Sequence, residues 1–223
     1  MVKKGHAMWQ GVIFDLDGTL LDTIADLGDS MNEVLVNHGW PIFSIADYKE
    51  KVGDGIGQLV KRSVPVNIAY DSDVLTPFIQ EFINIYEQHW HIKTKPYPGI
   101  EPLLRSLQEK GIKMAVLSNK MDAFTQQCIR HFFPEIRFEK VVGAVEGVPK
   151  KPDPASVLQI ASELHLEPNK VLYVGDTSID MHTANHAGMQ AIGVSWGFRS
   201  ANQLVESGAK IILTSPEMLD WLL

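Results

Sequence analysis

Cysteine is almost absent, with Cys128 alone among 223 residues, so no intrachain disulfide can form. Its place in an apolar-periodic segment predicts buried filler rather than a nucleophile. No stretch approaches the roughly 18 apolar residues needed to cross a bilayer. Met1 to Gly11 carries Lys3 and Lys4 but no apolar run of the signal-peptide kind, so a cytoplasmic chain without a membrane partner is expected. Runs of lysine or arginine are missing as well, and the formal net charge is -7, which removes the track a nucleic-acid backbone would follow. A small-molecule ligand fits that balance better. Residues 1–7 precede Met8, an alternative start, and are expected to be loosely attached.

What is present is ordinary globular composition, 45% hydrophobic and 21% charged, with length for a core domain and a smaller insertion. Val12 to Phe14 is a short unbroken apolar run ending in carboxylates, and Lys113 to Leu117, Lys170 to Val174 and Gln190 to Val194 repeat the style. Such runs predict buried parallel strands. Between them Ile100, Leu103, Leu104 and Leu107 recur at helical spacing and are stopped by Gly111. Val157, Leu158, Ala161 and Leu164 do the same after Asp153 as N-cap and Pro154 as first helical residue. Strand and helix alternating in this way specify an α/β fold, a doubly wound parallel sheet whose ligands sit beyond the carboxyl ends of the strands.

Thr23 to about Lys95 is different, helical throughout, and reads as an inserted all-helical domain. Ile24, Leu27, Met31, Val34 and Leu35 form one stripe, ended by Gly39. Leu75, Phe78, Ile79, Phe82, Ile85 and Tyr86 form a longer one, and two such helices need each other to bury their stripes. The expected division is therefore 1–22 and 96–223 for the α/β core and 23–95 for a helical cap.

The chemistry gathers at strand ends. Asp15 and Asp17 follow the first strand, and strand alternation points both to one side. Paired carboxylates facing a phosphate dianion would repel it, so a cation with oxygen ligands, Mg²⁺, is the expected device. An acidic loop turned by Gly18 is the plainer alternative. Ser118 and Asn119 follow the strand ending at Leu117, where they are either phosphate donors or simple turn formers. Lys151 stands on the stiff Lys-Pro-Asp-Pro connection and can hold an ammonium in one place, where Lys150 beside it is equally cationic. Asp176 follows the strand ending at Val174 and is read as a third metal carboxylate. Asp180 either complements the dipole of the next helix or orients the metal site or Lys151.

These four segments, in this order across essentially the whole chain, resemble the haloacid dehalogenase-like hydrolase superfamily, in its helical-cap subclass. The resemblance implies Asp15 as nucleophile, Asp17 as general acid and base, Lys151 as the catalytic lysine, and Thr19, Ser118 and Asn119 as phosphate-holding residues. It implies a Mg²⁺ held by Asp15, the Asp17 backbone carbonyl and Asp176, and an aspartyl-phosphate intermediate. Asp17 argues for phosphoryl transfer over dehalogenation, which needs no protonated alkoxide. A sugar-phosphate mutase, a pyrophosphatase and a catalytically silent binding protein remain alternatives on the same fold.

Val52 to Arg62, Gly-rich at Gly53, Gly55 and Gly57, resembles the cap loop of phosphoglycolate phosphatases, and Ser195 to Arg199 resembles that branch too. There the Gly55 backbone and Arg62 would meet a substrate carboxylate, or the segment is only a tight turn. The expectation is a phosphatase of a small phosphorylated metabolite, 2-phosphoglycolate first, working as monomer or homodimer. His89, Trp90 and His91 are read as packing and surface residues, because i and i+2 on a helix share no face.

Overall fold

A computed structural model describes residues 9–223; the expectation for residues 1–7 lies outside them. The chain begins with β1 (Gly11–Phe14) and β2 (Leu21–Asp22). Five helices follow: α1 (Ile24–Asn37), α2 (Ile45–Lys51), α3 (Ile56–Lys61), α4 (Val66–Ala69) and α5 (Ser72–His89). It continues with β3 (Lys95–Pro96), α6 (Ile100–Glu109), β4 (Lys113–Met121), α7 (Asp122–Phe132), β5 (Lys140–Ala144) and α8 (Ala155–Glu163). Then come β6 (Val171–Gly175), α9 (Ser178–His186), β7 (Gln190–Val194), α10 (Ala201–Glu206), β8 (Ile211–Leu213) and α11 (Glu217–Leu222).

Six parallel strands form the main sheet in the order β5-β4-β1-β6-β7-β8. The order reverses at β1, which is fully buried and flanked by β4 and β6, and this opens a crevice at its carboxyl end. The α/β class and the doubly wound sheet expected from the sequence are present. Two of the six strands, β5 and β8, were not legible. Both lie at the edges, where half-exposed positions such as Val141, Val142, Ile211 and Ile212 weaken the apolar signal.

Helices α1 to α5 lie between β2 and β3, a two-residue antiparallel ladder that carries the chain out of the sheet layer and back. The α1 stripe is buried from Ile24 to Leu35. It stops at Gly39, whose φ of 68° lets its N–H reach the Val36 carbonyl and the Trp40 N–H reach Leu35. In α5, Asp71 caps the N-terminus through the amides of Asp73 and Val74, and Leu75, Phe82 and Tyr86 are buried. Helix α6 follows expectation residue by residue, with Ile100, Leu103, Leu104 and Leu107 all buried.

Helix α8 departs from expectation by one residue. Pro154 is its N-cap, Asp153 accepts from the Ala155 amide, and the buried face is Val157, Ile160 and Ala161 while Leu158 is exposed. Among the described residues no helix is long and apolar enough to cross a membrane.

Candidate active site

Asp15 is placed by the end of β1, where its backbone amide still donates to Val174 of β6 at 2.9 Å. The side chain is buried, and its Oδ1 accepts from the Leu16 amide at 2.7 Å and from Lys151 Nζ at 2.9 Å. No hydrogen bond reaches Oδ2 among the described residues. Burial first, and then the nearby Asp180 carboxylate, raise the Asp15 pKa to about 7 against the pull of Lys151.

Lys151 is buried whereas Lys150, equally cationic but off the stiff Lys-Pro-Asp-Pro segment, is exposed. Its Nζ lies 2.9 Å from Asp15 and 2.8 Å from Asp180. Burial alone would lower its pKa, but the two carboxylates outweigh burial and raise it well above the usual lysine value. Asp180 touches both the start of α9 and Lys151. Its Oδ2 accepts from the Thr177 amide and hydroxyl at the start of α9, and its Oδ1 accepts from Lys151.

Asp176 is fully buried. Its Oδ1 accepts from the Thr19 hydroxyl at 3.1 Å and its Oδ2 from the Phe198 amide at 2.8 Å. Burial first, then Asp180 and Asp15, hold its carboxyl well above the ordinary range. Gly18 must be glycine here, because its φ is 82° and a Cβ would collide with the Asp176 carboxylate.

Carboxylate oxygens of Asp15, Asp176 and Asp180 lie within 4.8 Å of one another. Asp180 is already committed to Lys151 and Thr177, which leaves Asp15 and Asp176 as the pair in need of positive charge. The Asp17 carbonyl accepts no hydrogen bond from any described residue. Two crowded carboxylates and a free carbonyl oxygen form the hard donor set that Mg²⁺ takes, so these residues fit the ion.

Some expected roles are altered. The Thr19 hydroxyl is turned to Asp176 rather than to the cavity. The Asn119 amide donates to the Gly53 and Lys151 carbonyls at 3.1 Å each, and its oxygen accepts from the Lys151 amide at 3.0 Å. It therefore spends its donors on fixing the Lys151 backbone and tying it to the helical insert. Arg62 does not line the cavity; its guanidinium pairs with Asp54 and donates to the Lys51 carbonyl at 3.0 Å. The charge meant for a substrate is thus neutralised within its own loop. Ser118 does line the cavity, and its oxygen accepts from the Lys120 amide at 3.3 Å.

A cavity of about 40 Å³ lies between Asp15, Asp17 and Ser118 on the sheet side and Gly53, Gly55 and Ile56 on the insert. Gly55, with a φ of 86°, starts α3 so close to β4 that a Cβ would come within 2.9 Å of the Asn119 carbonyl. The loop after β7 also reaches across. Trp196 Nε1 donates to Thr19 O at 3.0 Å, and Arg199 donates to the carbonyls of Lys49 and Val52.

Two further residues went unseen in the sequence. Lys120 is buried, with Nζ 3.1 Å from Asp17 Oδ1 and 2.8 Å from the Tyr86 hydroxyl. Burial works to lower its pKa, yet the Asp17 carboxylate leads the contributions that raise it above the usual lysine value. The signal was there in strand alternation, which puts Lys120 on the side of Ser118. Asp26 of α1 is buried and accepts from the amides of Lys93 and Thr94 and from the Thr94 hydroxyl.

Residues 12–194 match the family described as haloacid dehalogenase-like hydrolase. The phosphoglycolate phosphatase of Nitrosospira multiformis is 32% identical over 208 residues, covering 92% of each chain. That of Psychrobacter arcticus is 31% identical over 194 residues, covering 85% of this chain and 84% of its own. A crystal structure from Lactobacillus delbrueckii subsp. bulgaricus superposes with a TM-score of 0.87 at 31% identity, covering 95% of this chain and 97% of that one. A haloacid dehalogenase-like family hydrolase from Streptococcus pneumoniae shares the fold with a TM-score of 0.85 at 20% identity.

Proposed function

The chain belongs to the haloacid dehalogenase-like hydrolases and is a phosphoric monoester hydrolase, and from that premise we propose that it works through an aspartyl phosphate on Asp15 with Mg²⁺ bound. The observation that carries this reading is the buried Asp15 at the cavity floor, with Lys151 on one oxygen and the other oxygen free of donors. In the first step Asp15 forms a bond to phosphorus, the ester P–O bond breaks, and Asp17 passes its proton to the departing alkoxide. In the second, the Asp17 carboxylate takes a proton from water, whose oxygen displaces the Asp15 carboxylate from phosphorus. Lys151 and the Ser118 hydroxyl offset charge on the phosphoryl oxygens. Asp180 keeps Lys151 aimed, and Asn119 keeps its backbone in place. Asp15, Asp176 and the Asp17 carbonyl would hold Mg²⁺, which would supply the positive charge that lets a carboxylate approach a phosphate dianion.

Residues 23–95 act as a cap over a core of 1–22 and 96–223, excluding bulk water while the ester is cleaved. The small cavity and the similarity to two phosphoglycolate phosphatases support a compact substrate with 2-phosphoglycolate as the first choice. A cytoplasmic location suits such a metabolite.

Phosphate release should be followed with and without Mg²⁺ on 2-phosphoglycolate, β-glucose 1-phosphate, pyrophosphate and nucleotides, with Asp15→Asn as control. Mg²⁺-dependent turnover that prefers 2-phosphoglycolate and disappears in Asp15→Asn is expected. Turnover that survives Asp15→Asn would overturn the covalent route, and a preference for glucose 1-phosphate or pyrophosphate would overturn the substrate.

A further inference from the structure

Lys120 is a cation of the cavity wall that the phosphoryl-transfer steps leave unused. It is the penultimate residue of β4, with only 5% of its surface exposed, and a buried ammonium is costly unless its partners are well placed. Its partners come from two different layers. Nζ lies 3.1 and 3.3 Å from the two oxygens of Asp17, in the loop after β1, and donates at 2.8 Å to the hydroxyl of Tyr86, on the insert helix α5. The same Nζ stands 4.7 Å from the centre of the Tyr86 ring. Tyr86 is itself fixed, buried between Phe82 of its own helix and Phe124 of the core helix α7.

Asp17 has no other restraint: among the described residues no second side chain or amide donates to its carboxylate. Free of Lys120, that side chain would turn about its two torsions. With Lys120 in place its direction is set, and the direction depends on α5 lying against the core.

We propose that Lys120, braced by Tyr86, is a positioning residue for Asp17, so that the proton donor is assembled only when the helical insert is seated on the sheet. This rests on the reading of Asp17 as the acid and base. The ammonium neither gives nor takes a proton. It holds the Asp17 carboxyl while the proton passes from Asp17 to the ester oxygen. The arrangement gives the enzyme a reason to withhold cleavage while its cavity is open to water.

The test compares two small phosphate donors on the full chain with Mg²⁺. Cleavage of 2-phosphoglycolate releases glycolate through an alkoxide that needs a proton, whereas cleavage of acetyl phosphate releases acetate, which needs none. The quantity read is kcat/KM, which covers only the steps up to departure of the leaving group, before Asp17 acts as base. Asp17→Asn sets the scale. Lys120→Met is expected to lose on the order of tenfold or more on 2-phosphoglycolate, part of the range ascribed to general acid catalysis, while acetyl phosphate changes little. Tyr86→Phe, which removes one hydroxyl without changing the packing, should show the same selectivity at smaller size.

Equal losses on both donors in Lys120→Met and Tyr86→Phe, with Asp17→Asn still selective, would overturn the proposal and make Lys120 structural. Selectivity in Lys120→Met with none in Tyr86→Phe would overturn the link to the insert. An unselective Asp17→Asn would instead remove the reading of Asp17 on which the proposal stands.

Discussion

Lys150 and Lys151 carry the same group, and only their surroundings give one of them a role. Lys151 is gripped by Asp15 and Asp180 with almost no water left to it, while Lys150 is solvated. Removing one carboxylate from that grip leaves the ammonium with a single partner in a dry site. Asp180→Asn should therefore lower kcat by about ten- to a hundredfold, as loss of an orienting partner commonly does, and lower the urea midpoint as well. Steady-state kinetics and a urea titration on the same preparation check both. The opposite case is Cys128, read correctly from the sequence as filler. It is fully buried, and burial pushes its thiol up to about 12, so at neutral pH it is not a thiolate. An aromatic disulfide reagent should label it only after denaturant is added; rapid labelling of the folded chain would contradict the burial.

Single helices show how the insert is fastened to its exits. Asp26 on α1 gathers the amides of Lys93 and Thr94 and the Thr94 hydroxyl just before β3, which anchors the returning chain to the helix that began the excursion. Asp26→Ala would strand three donors, the two of Thr94 buried and the Lys93 amide partly so, and a loss of about 2–4 kcal/mol in unfolding free energy is expected from denaturant titration. At the other end of the chain α11 is held to α6 by Asp220, which accepts from Ser106 at 2.6 Å and from Lys110 at 3.0 Å. The Ser106 hydrogen bond, then Lys110, hold the Asp220 carboxyl below the ordinary value. A depressed carboxyl stabilises the fold above its unfolded pKa of about 3.9, and that contribution is lost as pH falls through the folded value. Asp220→Asn should thus lower Tm at pH 7 by a small amount, the pair being exposed, and the difference from wild type should narrow as pH falls below about 3.9.

For the whole molecule the controlling fact is that the site is divided between layers. The sheet brings Asp15, Asp17, Ser118 and Lys151 to one edge, and the insert narrows the space above them to about 40 Å³, room for about three water molecules. On the proposed role of residues 23–95 as a cap, a substrate too large for the insert to seat over it is turned over more slowly. Across a series of phosphate monoesters, kcat/KM is expected to fall as the alcohol grows beyond a few heavy atoms. Initial rates on that series, from phosphoglycolate to hexose phosphates, check this, and a flat profile would count against a cap that must close.

Patterns that depend on neighbours along the chain were legible in the sequence alone. The four central strands announced themselves by being buried on both faces, α6 by its spacing, Gly39 and Gly111 by the conformation only glycine takes easily, and the carboxylates by standing directly after strands. What sequence could not decide is which group each side chain meets. Arg62 had the right charge, but tertiary structure gave it Asp54; Asn119 had the right donors, but they went to Gly53 and Lys151. Lys120 finds Asp17 across 103 residues and Tyr86 across 34, separations at which local pattern carries no information about partners. Periodicity and turn chemistry are local, and so the fold class and the strand-end carboxylates could be read. Pairing of buried charges depends on which elements pack face to face, and only the folded chain settled that.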